Sequence, residues 1–212
     1  MNIDLSHARQ QFESYLDQYD RTDDKVRLKI IHTYGVMECS RRICERMHLS
    51  EEDTILAQLI GLLHDIGRFE QLKKYNSFEP DTMDHAAFGV QILFEEGRIR
   101  DYVAETDWDS IIRTAIARHS DFKLEGVTDE RELLHTRLIR DADKLDNCRV
   151  KLDDSIETIL GVSAEEVGSS AITPEVMAQF MNHQSIYSPT RKTKMDYWLS
   201  YLAYYYDINY EE

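Results

Sequence analysis

Histidine and aspartate side chains recur at the apolar faces or at the ends of separate predicted helices. They are His32, the adjacent pair His64 and Asp65, His85, His119 and Asp143. Imidazole and carboxylate groups together suit divalent transition metals such as Mn, Fe, Co, Ni or Zn, whereas magnesium and calcium prefer oxygen ligands throughout. Helical bundles build metal sites from side chains on several helices. The pattern therefore predicts a site for a divalent transition-metal ion.

Each of these histidines, taken alone, also has an ordinary structural interpretation. His64 stands at the predicted end of a helix, where an imidazole interacts favourably with the helix dipole. The other four histidines have no comparable residues around them and are interpreted as surface or structural: His7, His48, His135 and His183. Spacing alone does not select the metal-binding subset.

Helical periodicity predicts the elements that position the first candidates. A stripe of apolar or small residues predicts a helix over about residues 24–47, and His32 falls inside that stripe. Ser50 is suited to cap a second helix, which carries His64 and Asp65 to its C-terminal end. We expect Gly67 to close that helix and residues 68–83 to form an ordered loop.

Three further predicted helices carry the remaining candidates. Asp84 is suited to cap a helix that runs to about residue 96, so that His85 lies in its first turn. A helix from about residue 109 places His119 on its buried stripe. A helix over residues 132–150 contains Asp143.

Composition and length favour one compact helical protein. The 212 residues are 42% hydrophobic and 31% charged, with only 8 Gly and 3 Pro, which is not typical of a disordered or turn-rich chain. Helix starts at Ser163 and Thr173 and a long aromatic helix over residues 194–210 bring the expected total to about seven to nine helices. The predicted fold class is an all-α bundle.

The charge of the chain restricts its expected partners. A formal net charge of -15 does not suit a general grip on nucleic acid or anionic lipid, because both are polyanions that require clustered Lys and Arg. A local basic pocket is still compatible with this charge. No apolar run of membrane-spanning length and no secretory pattern is present, so we expect a cytoplasmic protein.

Two sequence strings carry a family resemblance. LLHDIGRFEQ contains His64 and Asp65, IRDADKLDN contains Asp143, and both follow His32 in order. This ordered set resembles the HD superfamily of metal-dependent phosphohydrolases over roughly residues 28–150. The resemblance implies a single HD domain in residues 1–212, with its metal-binding core at about 28–150 and C-terminal helices over 151–212 packing on that core.

The resemblance also implies a ligand set. His32, His64, Asp65 and Asp143 match the primary ligands of the family. His85, in MDHAAFG, and His119, in ARHSD, match the extra histidines of two-metal members, in which Asp65 would bridge the ions. Two points stay open. His85 and His119 would contact the substrate phosphate instead of a second metal ion. Separately, the nearby carboxylates Asp141 and Asp146 would contribute to the site.

The expected activity is hydrolysis of a phosphoester by metal-activated water, with Asp65 at the centre of the catalytic site. The expected substrate is a nucleotide or another small phosphorylated metabolite. Arg68 and Lys144 are the catalytic cations predicted to hold phosphate oxygens, and Arg118 and Arg140 are further candidates for substrate binding. Ordinary surface charge or ion pairing is the alternative interpretation of all four cations.

Two other functions fit the same residues. Some proteins with a similar ligand set are diiron oxygenases, which would consume oxygen and release no phosphate. A non-catalytic module would bind metal or nucleotide without turnover.

The tyrosine-rich C-terminal segment has three possible roles, of which core packing is favoured over lining the pocket or forming the face of a homodimer.

Overall fold

The computed structural model describes residues 3–79 and 81–211, and these residues form helices and connecting loops without a strand. The predicted all-α class is therefore confirmed. The α-helices are α1 (Leu5–Leu16), α2 (Asp24–Arg46), α3 (Glu51–Leu63), α4 (Ile66–Tyr75), α5 (His85–Val90), α6 (Asp109–Arg118), α7 (Glu130–Asp153), α8 (Ile156–Leu160), α9 (Ala164–Ser169), α10 (Pro174–Met181) and α11 (Lys194–Leu202). Short helical turns follow at Gln91–Glu95, Arg98–Asp101, Ser188–Thr190 and Ala203–Asp207.

The predicted helix starts have the capping contacts that their residue types favour. The Asp23 carboxylate accepts hydrogen bonds from two backbone N–H groups of the first turn of α2. Ser50 Oγ accepts from Asp53 N in α3, and Asp84 does the same for α5 through Ala87 N. Such caps stabilise a helix by roughly 1 kcal/mol each, because they satisfy otherwise unpaired N–H groups.

The core lies where α2 packs against α3 and α7, and α6 covers the other side of α7. Val36 and Met37 of α2, Leu59 and Leu63 of α3 and Ile139 of α7 are all buried there. Burial of such a side chain stabilises the fold by roughly 1.5–3 kcal/mol. These three helices therefore form a rigid frame for the polar residues that they carry.

Two predictions are corrected here: Gly67 does not end the helix that precedes it, and residues 68–83 are a loop only over their second half. Residues 66–75 form α4, and Gly67 lies inside its first turn. Ile66, Phe69 and Leu72 give this helix a buried stripe, which intervening charged residues obscure in the sequence. Asn76, with a left-handed backbone (φ 47°), ends the helix.

The predicted aromatic helix at the C-terminus is shorter than expected. It begins at Lys194 with a capping box between Thr193 and Asp196, and its α-helical part ends at Leu202. The backbone N–H groups of Asn209 and Tyr210 bind the Asp141 carboxylate instead of continuing the helix. The helix therefore ends early, and the segment that follows it packs against α7.

A second, smaller apolar cluster lies in the C-terminal region. It consists of Val176, Ile186, Leu199 and Ala203, separate from the main core.

Among the described residues, no helix combines the length and apolar character needed to cross a lipid bilayer.

Candidate metal centre

Four of the predicted ligands converge where three helices meet. His32 lies in the middle of α2, Asp143 lies on α7, and His64 and Asp65 occupy the short break between α3 and α4. His32 Nε2 is 2.9 Å from Asp143 Oδ1, and His64 Nε2 is 3.3 Å from Asp65 Oδ2. One potential ligand atom from each of the four residues lies within 4.8 Å of the others. This spacing is compatible with a single enclosed cation.

A second group of three residues lies directly beside the first and shares Asp65 with it. Asp65 Oδ1 is 3.3 Å from His85 Nε2 and 3.7 Å from His119 Nε2. The other oxygen of this carboxylate, Oδ2, faces His32 at 3.9 Å and His64 at 3.3 Å. The two oxygens of Asp65 thus point into two adjacent groups of nitrogen ligands.

Hydrogen bonds orient three of the imidazole rings. His64 Nδ1 donates to Gly61 O at 2.8 Å, and His119 Nδ1 donates to Ile116 O at 2.7 Å. His32 Nδ1 donates to Asp146 Oδ2 at 2.8 Å. In each ring this bond holds a proton on Nδ1, so that Nε2 faces the site and would bind a metal ion once any proton on it is displaced.

The structure separates the three neighbouring aspartates of α7. Asp143 faces the cluster, and Asp146 accepts from His32 behind it. Asp141 is buried on another side, where it binds backbone N–H groups of the C-terminal segment. Of the two carboxylates that the sequence left open, only Asp146 contacts a residue of the cluster.

Two buried atoms of the site have no hydrogen-bond partner among the described residues. They are His64 Nε2 and Asp65 Oδ1, and the two residues are 0% and 3% exposed. Leaving a buried polar atom unpaired costs roughly 1–3 kcal/mol, so such atoms are rare in a folded protein without a functional reason. Both atoms face the cluster and would bind a cation, His64 Nε2 after loss of its proton, and the residues present therefore fit a bound cation.

Lys29 is a site residue that the sequence reasoning missed. It lies one turn before His32 on the same face of α2, is only 8% exposed, and forms an ion pair with Asp65 Oδ2. Burial alone would raise the pKa of Asp65, but Lys29 and His64 hold it well below the usual range. The signal was a lysine within the buried stripe of α2, where a charged residue requires a partner.

The protonation of the histidines differs across the site. Burial and the adjacent Arg68 guanidinium lower the pKa of His85 well below its usual value. Burial also acts to lower the pKa of His64, but the carboxylates of Asp65 and Asp143 raise it to about 9. His85 is therefore a neutral imidazole at neutral pH, whereas a metal ion at His64 would displace a proton.

A cavity of about 620 Å³ opens onto both groups of ligands. Arg68 and Lys144 line it, as the sequence hypothesis requires of residues that meet substrate. Arg68 contacts His85 Nε2 at 3.0 Å through one terminal nitrogen, while its Nε has no hydrogen-bond partner among the described residues. Lys144 Nζ lies 3.0 Å from Asp207.

Arg118 and Arg140 do not line this cavity, and the substrate-binding role expected of them stays a prediction. Arg118 pairs with Asp121 and donates to Glu125 O at 2.8 Å. Arg140, 3% exposed, donates to Asp121 O at 2.5 Å and to Asp207 at 2.9 Å. Both terminal nitrogens of Arg140, and Nε and one terminal nitrogen of Arg118, make structural contacts that a single sequence does not reveal.

Three tyrosines of the C-terminal segment also line the cavity: Tyr197, Tyr201 and Tyr204. The favoured prediction for this segment was packing against the core, and it is wrong for these three side chains. Tyr205, by contrast, is 61% exposed. Because this segment folds back over the end of α7, its aromatic rings reach the open side of the metal-ligand cluster.

Comparison with known proteins places this arrangement in a family context. A family model described as HD domain matches residues 30–148, which is more than half of the chain. All six clustered histidines and aspartates lie within the matched segment. No curated protein and no solved structure matches the chain significantly.

Proposed function

Because the chain belongs to the HD domain family, whose members are generally metal-dependent hydrolases, we propose that it is a metal-dependent phosphohydrolase. Its substrate would be a nucleotide or another small phosphorylated metabolite. The observation that carries this proposal is the position of Asp65, whose two oxygens face two separate groups of imidazole nitrogens. A bridging carboxylate is the ligand expected between two closely spaced cations.

The ligand set divides into two sites that share one residue. His32, His64 and Asp143 would hold one divalent transition-metal ion, His85 and His119 would hold the other, and Asp65 would contact both. When bound, the ions would supply the Lewis acidity that activates water and neutralises phosphoryl charge. The ring orientations of His32, His64 and His119 support ligation because the Nδ1 proton of each is already taken by an oxygen acceptor.

The cations of the cavity would bind and orient the phosphate. Arg68 lines the cavity beside His85, and its guanidinium group would donate hydrogen bonds to a phosphate oxygen. Lys144 lines the cavity on α7, where Asp207 holds its ammonium group. Both side chains are largely buried, so their hydrogen bonds to an anion would be little weakened by water.

Cysteine is not a suitable nucleophile for this reaction. Burial raises the pKa of Cys39 to about 11 and that of Cys44 to about 12, and it also raises the pKa of Cys148. A thiol of that kind is protonated at neutral pH and therefore a poor nucleophile. This observation supports direct attack by water rather than a covalent intermediate on cysteine.

The proposal is tested by removal and replacement of metal. Purified protein is treated with a chelator, then supplied separately with Mn, Fe, Co, Ni or Zn and assayed for phosphate release from nucleoside and sugar phosphates. We expect activity to disappear with the chelator and to return with at least one metal. Absence of phosphate release with every metal and substrate would overturn the proposal. Oxygen consumption by the iron form alone would then favour the oxygenase.

A further inference from the structure

The cavity has a second half that lies outside the segment matched by the family. The ligand cluster comes from helices α2 to α7, whereas much of the opposite wall comes from residues after 148. That wall includes Lys151 at the end of α7, Arg191 and the tyrosines of the C-terminal segment. A single phosphate would fill only a small part of about 620 Å³, a volume within the range of pockets that bind whole small molecules.

Four tyrosines of this second half and two phenylalanines from the rest of the cavity wall give the cavity an aromatic lining. Six aromatic residues line the cavity: Phe78, Phe122, Tyr187, Tyr197, Tyr201 and Tyr204. Aromatic rings bind flat ligands through stacking, and stacking on one such ring is sequence-tolerant for nucleobases because every base has a π-face. A sugar or alkyl group would gain less from such a wall.

Among the three tyrosines that α11 and the turn after it place on the cavity wall, Tyr204 is the one whose ring no cation of the described residues covers. A cation covers each of its two neighbours: Lys151 Nζ lies 3.9 Å from the Tyr201 ring centroid, and Arg191 lies 4.3 Å from that of Tyr197. No such cation covers Tyr204 in the part of the chain that the structure describes. Its ring centroid lies 5.8 Å from that of Tyr201 at an interplanar angle of 63°, so contact with Tyr201 helps to fix its orientation.

A ladder of hydrogen bonds connects this wall with the ligand cluster. Asn147 Nδ2 donates to Asp143 Oδ1 at 2.8 Å, and Lys151 Nζ donates to Asn147 Oδ1 at 2.8 Å. Lys151 in turn lies over Tyr201. Asp143, Asn147 and Lys151 follow one another at intervals of one turn of α7, so the hydrogen bonds that join them cover about 12 Å of helix. The phosphate site and the aromatic wall are therefore held in a fixed relation.

We propose, on the premise of the phosphohydrolase function above, that Tyr204 stacks on the aromatic ring of the leaving group, and that Lys151 and Arg191 flank this subsite. The ligand is the base of a nucleoside phosphate, whose phosphate group lies at the metal-ligand cluster. The subsite makes the C-terminal segment the part of this chain that selects the substrate.

The subsite is tested with adenosine, which carries the aromatic ring but no phosphate. Calorimetry on the full chain compares binding of adenosine with binding of ribose, before and after Tyr204→Leu. We expect adenosine to bind at least ten-fold more tightly than ribose and the leucine variant to weaken adenosine binding at least five-fold. Tyr204→Phe keeps the ring and should stay within two-fold of the parent protein, as should the control Tyr205→Leu on the exposed neighbouring residue.

The same variants are then assayed for turnover. In Tyr204→Leu, the ratio of kcat/KM for adenosine 5′-monophosphate to that for ribose 5-phosphate should fall at least five-fold. Equal binding of adenosine and ribose by the parent protein would overturn the subsite, and that comparison needs no variant to fold. A loss in Tyr204→Phe as large as in Tyr204→Leu would also overturn it, because the hydroxyl would then be responsible. If adenosine binds as expected but no phosphoester is hydrolysed, the phosphohydrolase proposal fails while the subsite stands.

Discussion

At the scale of single residues, the site depends on hydrogen bonds from neighbouring groups that orient the candidate ligand side chains. Asp146 is fully buried and accepts a hydrogen bond from His32 Nδ1 at 2.8 Å, so it fixes the tautomer of that ring. Arg149 in turn donates to the other oxygen of Asp146 at 2.7 Å. Carboxylates in this position commonly matter almost as much for metal affinity as the ligands themselves.

Replacement of Asp146 should therefore weaken metal binding although no ligand is removed. In Asp146→Ala the His32 ring loses its orienting acceptor, and we expect metal affinity to fall about 10–100-fold. Competition with a metal-binding dye measures the change. Asp153→Ala, an exposed aspartate on the same helix, is the control and should leave the affinity unchanged. Equal affinities in both variants would show that the Asp146 contact does not support the metal site.

Lys151 predicts a pH dependence of substrate binding. Burial lowers the pKa of its ammonium group from 10.5 to about 8, so the positive charge is present below that pH and is lost as pH rises through it. We expect KM for a nucleoside monophosphate to increase between pH 7 and pH 9. In Lys151→Arg the charge persists, and this increase should be smaller. Identical KM profiles for the two proteins would remove Lys151 from substrate binding.

At the scale of elements, the close contact between α4 and α5 joins the two groups of ligands. Asp65 directly precedes α4, and His85 opens α5. A Cβ at Gly67 would lie 2.3 Å from His85 O and 2.7 Å from Gly89 N, both backbone atoms. Only glycine allows these helices to approach so closely, and the approach brings His85 to Asp65.

Gly67→Ala should consequently separate the two helices. We expect a loss of roughly 1–3 kcal/mol in the free energy of unfolding, because backbone atoms must move to admit the methyl group. Metal content should fall through loss of the ion at His85 and His119. Urea unfolding and elemental analysis measure the two effects. Gly89→Ala is the matched control, since its Cβ would meet only ordinary contacts at 3.4 Å or more. Equal stability of both variants would contradict the packing argument.

The sequence predicts those helices whose apolar residues recur at helical spacing over several turns, and it misses a helix whose apolar stripe is short. The helix carrying His32 was predicted to within a residue or two, because its apolar stripe continues over six turns. The sequence does not predict α4, because the short apolar stripe of this helix is interrupted by the charged residues Arg68, Lys73 and Lys74. The ligand residues themselves came from the family resemblance, whereas Lys29 and Tyr204 became visible only when separate segments met in space.

At the scale of the whole molecule, α7 connects the metal centre with the C-terminal segment. Its buried Arg140 donates to the backbone of the loop after α6 and to Asp207. Asp141 binds the backbone of Asn209. These contacts hold the C-terminal segment against α7 and so define the open wall of the cavity. A homodimer stays a prediction that none of these contacts tests.

Arg140→Met distinguishes this structural role from the substrate-binding role first predicted for Arg140. Loss of its charge-assisted hydrogen bonds should reduce the free energy of unfolding by roughly 1.5–3 kcal/mol. KM for the phosphoester, measured well below the melting temperature, should change less than three-fold. Arg42→Met, which removes an exposed arginine, should change stability by less than about 0.5 kcal/mol. An unchanged stability with a ten-fold higher KM would restore the substrate-binding role.

The most direct measurement of the central claim is the metal content and phosphate release of Asp65→Ala, made alongside the parent protein. Because Asp65 is the residue common to both groups of ligands, its loss should reduce metal content from about two ions per chain to less than one and bring phosphate release down to background. The control Asp153→Ala should match the parent in both respects. A folded Asp65→Ala protein that keeps full metal content and full activity would contradict the account.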